Sequence, residues 1–195
     1  MPASYHHGSL REALVAEGRR QLEEEGAHAI SLRGLAKRIG VSHSAPVRHF
    51  GSRDELIDEL LRANFRGVFA TIRAFAPLLK RGGDSVIINI SSLAAITGSG
   101  SSIIYGASKA ALDTMGMSLA RVLGPEIRVL SISPSAVATD FVPGRSRAAV
   151  EKAAGASPLQ TVTEADDVAL TIMAAITHLR LTTGSIILVD GGKHL

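Results

Sequence analysis

Three short segments rich in β-branched residues restrict the possible fold more than any other feature of the sequence. They are Ser85–Ile90, Arg128–Ile132 and Ser185–Val189. Each is largely apolar on both faces, which is typical of strands buried in a parallel sheet. Helical patterns lie between them, at Ala107–Leu123 and Glu164–His178. This alternation of strand and helix predicts an α/β fold for the C-terminal part of the chain.

The first 60 residues follow a purely helical pattern. Capping-box sequences at Ser9–Glu12 and Ser52–Glu55 predict the starts of two helices. A further helix is predicted to follow Ser31 and to end at Gly40, and a tight turn then leads into a short third helix through Phe50. We therefore predict two domains, an α-helical helix-turn-helix bundle over 1–62 and a truncated Rossmann-like α/β domain over 63–195.

The junction between these domains is predicted to be helical. The stretch from Ser52 to Leu79 has no proline before Pro77 and one glycine, Gly67. The fourth helix of the bundle should therefore run without a break into the helix that carries Asn64.

Composition excludes several classes of site. The chain has no cysteine, so it has no disulfide, thiolate metal ligand or cysteine nucleophile. No apolar run is long enough to span a membrane, and the first residues lack the apolar core of a secretory signal, so we expect a cytoplasmic protein. The pair His6-His7 predicts no metal site, because adjacent side chains diverge on a regular element.

Positive charge is concentrated in the helical part of the chain. Gly26–Arg53 contains five lysines and arginines and no acidic residue, whereas acidic residues flank it at Glu23–Glu25 and Asp54–Glu59. This distribution favours a face that binds a polyanion, with an ordinary solvated basic face as the alternative.

Two helices joined by a turn at Gly40 fit a helix-turn-helix, whose second helix enters the DNA major groove. In this region the sequence resembles the DNA-binding domain of the tetracycline-repressor (TetR) family. The resemblance is carried by Tyr5-His6-His7-Gly8, Ser31-Leu32-Arg33, Leu35-Ala36, Gly40-Val41-Ser42 and Pro46-Val47-Arg48-His49-Phe50. Val47 departs from the aromatic residue usual in the family. The bases of double-stranded DNA are predicted to contact Ser42, His43 and Ser44. Its phosphates are predicted to contact Arg33, Arg48 and Arg53. His49 is also predicted to bind the duplex, with no particular group assigned to it.

Tyr105 and Lys109 lie four residues apart and therefore on one face of a helix. An ammonium beside a phenol favours the phenolate, which makes the tyrosine a usable acid and base near neutral pH. A predicted strand ends in Ser91-Ser92, thirteen residues before Tyr105.

Residues 64 to 195 resemble the short-chain dehydrogenase/reductase family. The resemblance is carried by Asn64–Phe69, Asn89–Ser92, Tyr105–Lys109, Arg128–Pro134, Val137–Thr139 and Val189–Gly192. It implies that Tyr105 is the general acid/base, that Lys109 binds the nicotinamide ribose, that Ser92 orients the substrate carbonyl and that Asn64 holds a proton-relay water. It also implies that Pro134, Val137 and Thr139 contact the nicotinamide end of NAD or NADP, and that Ser92, Tyr105 and Lys109 converge at the carboxyl end of the first C-terminal strand. Ser135 stands where the family has glycine.

The cofactor motif of that family is missing from the sequence. No Gly-x-x-x-Gly-x-Gly turn precedes Asn64, so the pyrophosphate of NAD or NADP has no predicted helix N-terminus to bind.

Two functions follow from these patterns, and the completeness of the DNA-binding motif favours the first. The first is a DNA-binding transcriptional regulator whose dehydrogenase-like body supplies a homodimer. The alternative is an NAD(P)-dependent oxidoreductase acting on a small carbonyl or alcohol substrate. A fusion product without a selected function is the third hypothesis.

Overall fold

The structure, a computed structural model, describes residues 7–25, 30–99, 103–139 and 146–195. Within these ranges it describes the side chains except at positions 7–9, 22–25, 54, 58 and 60–64. The helices are α1 (His7–Glu25), α2 (Leu32–Arg38), α3 (Arg53–Gly82), α4 (Ala94–Thr97), α5 (Ile103–Leu123), α6 (Arg147–Ala154) and α7 (Ala165–Thr177). The strands are β1 (Ser85–Ile90), β2 (Ile127–Pro134) and β3 (Ser185–Val189).

The three strands form one parallel sheet in the order β1-β2-β3. Ile87 pairs with Val129 and Ile132 pairs with Ile187 in the two ladders. The three strands predicted from β-branched runs are confirmed, with β2 longer by one residue before and two after the predicted range. The parallel sheet with flanking helices is a Rossmann-like arrangement.

The core of the sheet lies on the face covered by α3 and α5. Its buried members are Ile72, Leu112, Met115, Ala120, Leu123, Ile127 and Val129. At Gly116 a Cβ atom would lie 3.2 Å from Asn89 Nδ2 and 3.4 Å from Ser131 Oγ, so the missing side chain lets α5 approach the sheet closely. This close approach fixes the position of α5 relative to β1.

The N-terminal helices enclose a second apolar cluster. Its buried members are Leu10, Leu14, Ile30, Leu35, Phe50, Leu56 and Ile57. Ile104 of α5 packs against this cluster from the C-terminal part of the chain. The N-terminal helices therefore contact α5 at Ile104, the residue directly before Tyr105.

Helix α3 crosses the predicted domain boundary without interruption. The Ser52 side chain accepts a hydrogen bond from the Glu55 N–H at 3.0 Å, as a capping box predicts, whereas the Glu55 carboxylate accepts from the Gly51 N–H at 2.7 Å. The expected helical junction is confirmed. The division into 1–62 and 63–195 stays a prediction.

The predicted recognition helix is wrong. Instead of a helix from Ser42 to Phe50, the chain forms a turn and then a three-residue 3₁₀ helix, Pro46–Arg48. Proline has no N–H to donate within a helix, and the hydroxyls of Ser42 and Ser44 lie 3.3 Å apart, which favours the turn. Arg53 was predicted to contact a DNA phosphate. Its Nε donates to the Ile30 carbonyl at 2.9 Å and so links the start of α3 to the residues before α2.

Arg128 links the opposite face of the sheet to α7. Its Nη1 donates to the carbonyls of Ala175 and Leu179 at 2.9 Å, and Nη2 donates to the Ile176 carbonyl at 3.3 Å. These carbonyls lie at or just beyond the C-terminal end of α7, where backbone acceptors lack helical partners. The guanidinium therefore supplies hydrogen bonds to backbone carbonyls at the C-terminal end of α7.

Replacing Arg128 with methionine should lower the free energy of unfolding by about 1.5–3 kcal/mol, because hydrogen bonds to a charged donor are lost at a part-buried site. Urea denaturation followed by circular dichroism measures this change. Arg121→Met, at an exposed position of α5, serves as the control and should shift stability by less than about 0.5 kcal/mol. Equal effects of the two substitutions would show that the α7 contacts contribute nothing.

Candidate active site

Helix α5 places Tyr105 and Lys109 on one face. Lys109 Nζ lies 5.7 Å from the centroid of the Tyr105 ring, and both side chains are half-buried. Ser108, between them, donates from its hydroxyl to the Tyr105 carbonyl at 2.8 Å. At Gly106 a Cβ atom would lie 3.1 Å from the Ala94 carbonyl oxygen, so glycine allows α5 to pack directly against α4.

The carboxyl end of β1 meets this face of α5. Lys109 Nζ donates to the Ile90 carbonyl at 2.9 Å, and the Ser91 hydroxyl donates to the Lys109 carbonyl at 3.4 Å. Ser92 follows directly, and its Oγ accepts from the Ala94 N–H at 3.2 Å. The Ser92 hydroxyl therefore keeps its own proton for donation to another acceptor. The sequence placed Ser92, Tyr105 and Lys109 at this end of β1, and the chain brings them to that region; their catalytic roles stay predictions.

Other residues of the predicted site lie on the neighbouring elements. Pro134 is the last residue of β2, and Val137 forms an isolated parallel bridge with Thr163. Thr139 is exposed, and its N–H donates to the Val137 carbonyl at 3.0 Å. The bridge to Thr163 holds the segment after β2 against the residues before α7. Asn64 lies within α3, and its side chain is outside the described residues.

A buried carboxylate marks the carboxyl end of β3. Asp190 is 8% exposed and accepts hydrogen bonds from the N–H of Gly192, the N–H of His194 and the ring Nδ1 of His194 at 2.8–2.9 Å. Burial by itself raises the pKa of this carboxyl, but the hydrogen bonds from His194 and Gly192 outweigh burial and hold the pKa below its ordinary value of 3.8. Asp190 also lines a pocket with Ser135, Thr163 and Lys193.

The Asp190 carboxylate should make the free energy of unfolding depend on pH in the acidic range. Because its pKa is lower in the folded than in the unfolded chain, the ionised form stabilises the fold above the ordinary pKa, and the stabilisation is lost as the pH falls through the folded-state pKa. Between about pH 5 and about pH 2, the unfolding free energy of Asp190→Asn should fall less than that of the unchanged chain. Urea titrations across that range measure both slopes, and identical slopes would contradict the expectation.

Several structural contributors were missed at the sequence level. The carbonyl that binds Lys109 belongs to Ile90, an apolar residue, so no pattern of polar side chains predicts this contact. Gly106 carries a weak signal, since the three residues between Tyr105 and Lys109 are all small. Asp190 follows a predicted strand directly, which is a position where parallel sheets gather polar groups.

Comparison with known proteins identifies a single family across most of the chain. A family model described as enoyl-(acyl carrier protein) reductase matches residues 17–194. The short-chain dehydrogenase/reductase homologue YusR of Bacillus subtilis is 42% identical over 130 residues, which are 67% of this chain and 99% of that protein.

Solved structures agree with this match. A short-chain type dehydrogenase/reductase from Mycobacterium ulcerans superposes with a TM-score of 0.66 and 30% identity, covering 72% of this chain and 53% of that one. A small-chain dehydrogenase in complex with NADPH has a TM-score of 0.63 and 28% identity, covering 71% and 64%. The chain thus spans between about half and two thirds of the length of these solved relatives.

The predicted DNA-binding regulator is wrong. The family match begins at residue 17 and includes most of the stretch assigned to the tetracycline-repressor resemblance, and no DNA-binding protein is among these relatives. Double-stranded DNA is therefore not a partner that these findings support. The oxidoreductase named as the alternative fits them better. Among the described helices, none combines the length and the apolar character needed to cross a bilayer.

Proposed function

The chain belongs to the short-chain dehydrogenase/reductase family, and we propose that it is an NAD(P)-dependent oxidoreductase acting on a carbonyl or alcohol substrate. The observation that carries this proposal is the juxtaposition of Tyr105 and Lys109 on α5 with the end of β1, where Lys109 Nζ reaches the Ile90 carbonyl. Open α/β sheets bind their ligands at the carboxyl ends of the strands, which is where these groups lie.

The proton chemistry belongs to Tyr105. In the reducing direction its phenol gives a proton to the substrate oxygen, and in the oxidising direction the phenolate takes that proton back. The Lys109 ammonium lies 5.7 Å from the ring centroid, and a positive charge at that position stabilises a phenolate relative to a phenol.

Ser92 orients the substrate. Its Oγ accepts from the Ala94 N–H, which restrains the side chain and leaves the hydroxyl proton available for a substrate carbonyl. Ser92 and Tyr105 would both donate to the substrate oxygen. The Ser92 hydroxyl polarises the carbonyl and stabilises the negative charge that develops on that oxygen. The roles of Ser92 and Tyr105 are therefore complementary, one positioning the oxygen and the other protonating it.

The donor set suits the nicotinamide-ribose end of NAD or NADP. An ammonium and a phenol match the hydroxyls of a ribose, and Lys109 and Tyr105 are the residues that would hold it. Ser133 Oγ, fully buried and without a hydrogen-bond partner among the described residues, lies directly before Pro134, so the end of β2 holds an unsatisfied polar group. Pro134, Val137 and Thr139 would contact the nicotinamide, and a bound nicotinamide supplies or accepts the hydride. The sequence lacks a Gly-x-x-x-Gly-x-Gly turn before Asn64, so we place only this end of the cofactor.

Binding and turnover of NADPH test the proposal. Titration of NADPH with the purified chain should give saturable enhancement of nicotinamide fluorescence, and a panel of aldehydes and ketones should contain at least one that accelerates NADPH oxidation. NADPH is the first probe because one aligned relative was solved in complex with it. Absence of both binding up to about 1 mM and turnover with NADH or NADPH would overturn the proposal.

A further inference from the structure

The chain after β2 forms a short segment, 135–139, that has neither helix nor extended strand. Backbone hydrogen bonds fix the residues where it begins. The Pro134 carbonyl accepts from the Leu93 N–H at 3.0 Å, and the Ser135 N–H donates to the Val189 carbonyl at 3.0 Å. The segment therefore leaves β2 beside the carboxyl ends of both neighbouring strands.

The rest of the 135–139 segment contacts Thr163, which lies just before α7. Val137 forms an isolated parallel bridge with Thr163, and the Ala138 N–H donates to the Thr163 carbonyl at 3.0 Å. An irregular segment held by a few backbone hydrogen bonds opens locally at a low cost in free energy. Each additional contact between the segment and Thr163 therefore changes the fraction of time that the segment stays in place.

One such contact is made by two side-chain hydroxyls. Ser135 Oγ lies 2.8 Å from Thr163 Oγ1, and Thr163 Oγ1 donates to the Val189 carbonyl at 3.5 Å. Because this donation uses the Thr163 proton, the Ser135 hydroxyl is the donor in the shorter hydrogen bond. Thr163 is 7% exposed, so its hydroxyl has little access to water. We call this pair of hydroxyls, Ser135 and Thr163, the hydroxyl clasp.

The backbone does not require a hydroxyl at position 135. The Ser135 N–H already has its partner in the Val189 carbonyl, and Ser135 stands where the family has glycine. The hydroxyl clasp is therefore a feature of this chain's own residues. Without the Ser135 hydroxyl, the buried Thr163 Oγ1 would keep only its long hydrogen bond, which is unfavourable for a buried polar group.

We propose that Ser135 and Thr163 are positioning residues for the nicotinamide end of the cofactor, an inference that rests on the proposed function. The hydroxyl clasp holds the 135–139 segment, in which Val137 and Thr139 would contact the nicotinamide, against the carboxyl end of β3. Neither hydroxyl has to contact the cofactor for this role. A segment that is already in place loses less conformational freedom on binding, so the cofactor binds more tightly.

Amide hydrogen exchange of the full chain tests the clasp without cofactor. The Ala138 N–H is the reporter, because its hydrogen bond to the Thr163 carbonyl must break when the segment opens. Its exchange should become about three- to tenfold faster in Ser135→Ala and in Thr163→Val, as expected for loss of one hydrogen bond. Circular dichroism checks that each variant folds. Unchanged exchange in both folded variants would overturn the proposal.

Ser157→Ala provides a matched control. The Ser157 hydroxyl lines the same pocket as the clasp, but it donates to the Ala154 carbonyl at 2.7 Å and makes no contact with the 135–139 segment in the recorded hydrogen bonds of the described residues. This variant loses a buried hydroxyl of the same kind, and the Ala138 exchange rate should change by less than about twofold. An equal acceleration in Ser157→Ala would show that any lost hydroxyl loosens this region, and would contradict a specific clasp.

The double variant Ser135→Ala/Thr163→Val tests whether the two hydroxyls act as one contact. If they do, the double variant should exchange at Ala138 no faster than the faster single variant. Thr163→Ser keeps the hydroxyl and should stay within about twofold of the unchanged chain. A double variant that multiplies the two single effects would show independent contributions and would contradict the clasp.

Fluorescence titration of NADPH tests the positioning role. The dissociation constant should rise about three- to tenfold in Ser135→Ala and in Thr163→Val. The value of kcat at saturating NADPH should change by less than about twofold, because bound cofactor keeps the segment in place. An unchanged dissociation constant alongside faster exchange would overturn the positioning role. Failure of the unchanged chain to bind NADPH would count against the proposed function, whereas the exchange rates at Ala138 would still decide the clasp.

Discussion

Replacing Tyr105 with phenylalanine should lower the rate of carbonyl reduction by about 100- to 10,000-fold, the range that a positioned general acid contributes. The substitution removes only the phenolic oxygen. The ring beside Lys109 remains, so the position of the ammonium and the packing of α5 should be kept. The loss should therefore appear mainly in kcat, and the affinity for NADPH should fall by no more than about tenfold, as expected for loss of one hydrogen bond to the ribose.

The chain offers a matched control, because its second tyrosine is Tyr5. Tyr5→Phe makes the same chemical change at a residue that has no role in the proposed mechanism and should leave turnover unchanged. Initial rates of NADPH oxidation for the unchanged chain and both variants, with fluorescence titration of NADPH, measure the two effects separately. A Tyr105→Phe variant that keeps more than about a tenth of the activity would remove Tyr105 from the proposed role.

Replacing Phe50 with alanine should cost about 3–5 kcal/mol of stability, as expected for loss of a fully buried aromatic side chain. Phe50 is the largest side chain of the N-terminal cluster and is 0% exposed. The guanidinium of Arg11 also lies over its ring, 5.2 Å from the centroid, so the substitution removes a cation–π contact together with the apolar contacts.

Urea unfolding followed by circular dichroism measures this effect, with Val47→Ala as the control. Val47 is 56% exposed, and its truncation should change stability by less than about 0.5 kcal/mol. A single shifted transition for Phe50→Ala would show that the N-terminal cluster unfolds together with the sheet. A loss below about 1 kcal/mol would show that the cluster is poorly packed around position 50.

Much of the fold was predictable because local patterns determine it. The three strands follow from β-branched runs, and the caps at Ser31 and Ser52 follow from hydroxyl residues placed before helical patterns. The pair Tyr105 and Lys109 was predictable for the same reason, since spacing on one helix places both side chains. These features depend only on neighbouring residues.

The remaining features depend on residues distant in sequence. The pattern around Pro46 suits a helix start and a 3₁₀ turn equally, and the chain forms the turn. The functional error has the same origin, because a local helix-turn-helix signal says nothing about whether the surrounding residues belong to another family. The contact between Lys109 and the Ile90 carbonyl depends on how α5 packs beside β1, which joins residues 19 positions apart in sequence. No sequence pattern near either residue contains that information.

The uninterrupted course of α3 has a mechanical consequence. At 1.5 Å per residue, its 30 residues form a rod about 45 Å long. The rod begins beside Phe50 and, through Ile72, ends against the sheet core. Pro77 lacks an N–H and removes one backbone hydrogen bond near the C-terminal end of the rod, but it lies beyond Ile72. Between Arg53 and Ile72 a bend would distort successive backbone hydrogen bonds, so a change in packing at one end of that stretch is passed to the other as a nearly rigid displacement. The N-terminal helices and the sheet therefore cannot swing about a loose hinge at α3, and a substitution beside Phe50 can shift groups near the candidate active site without touching them.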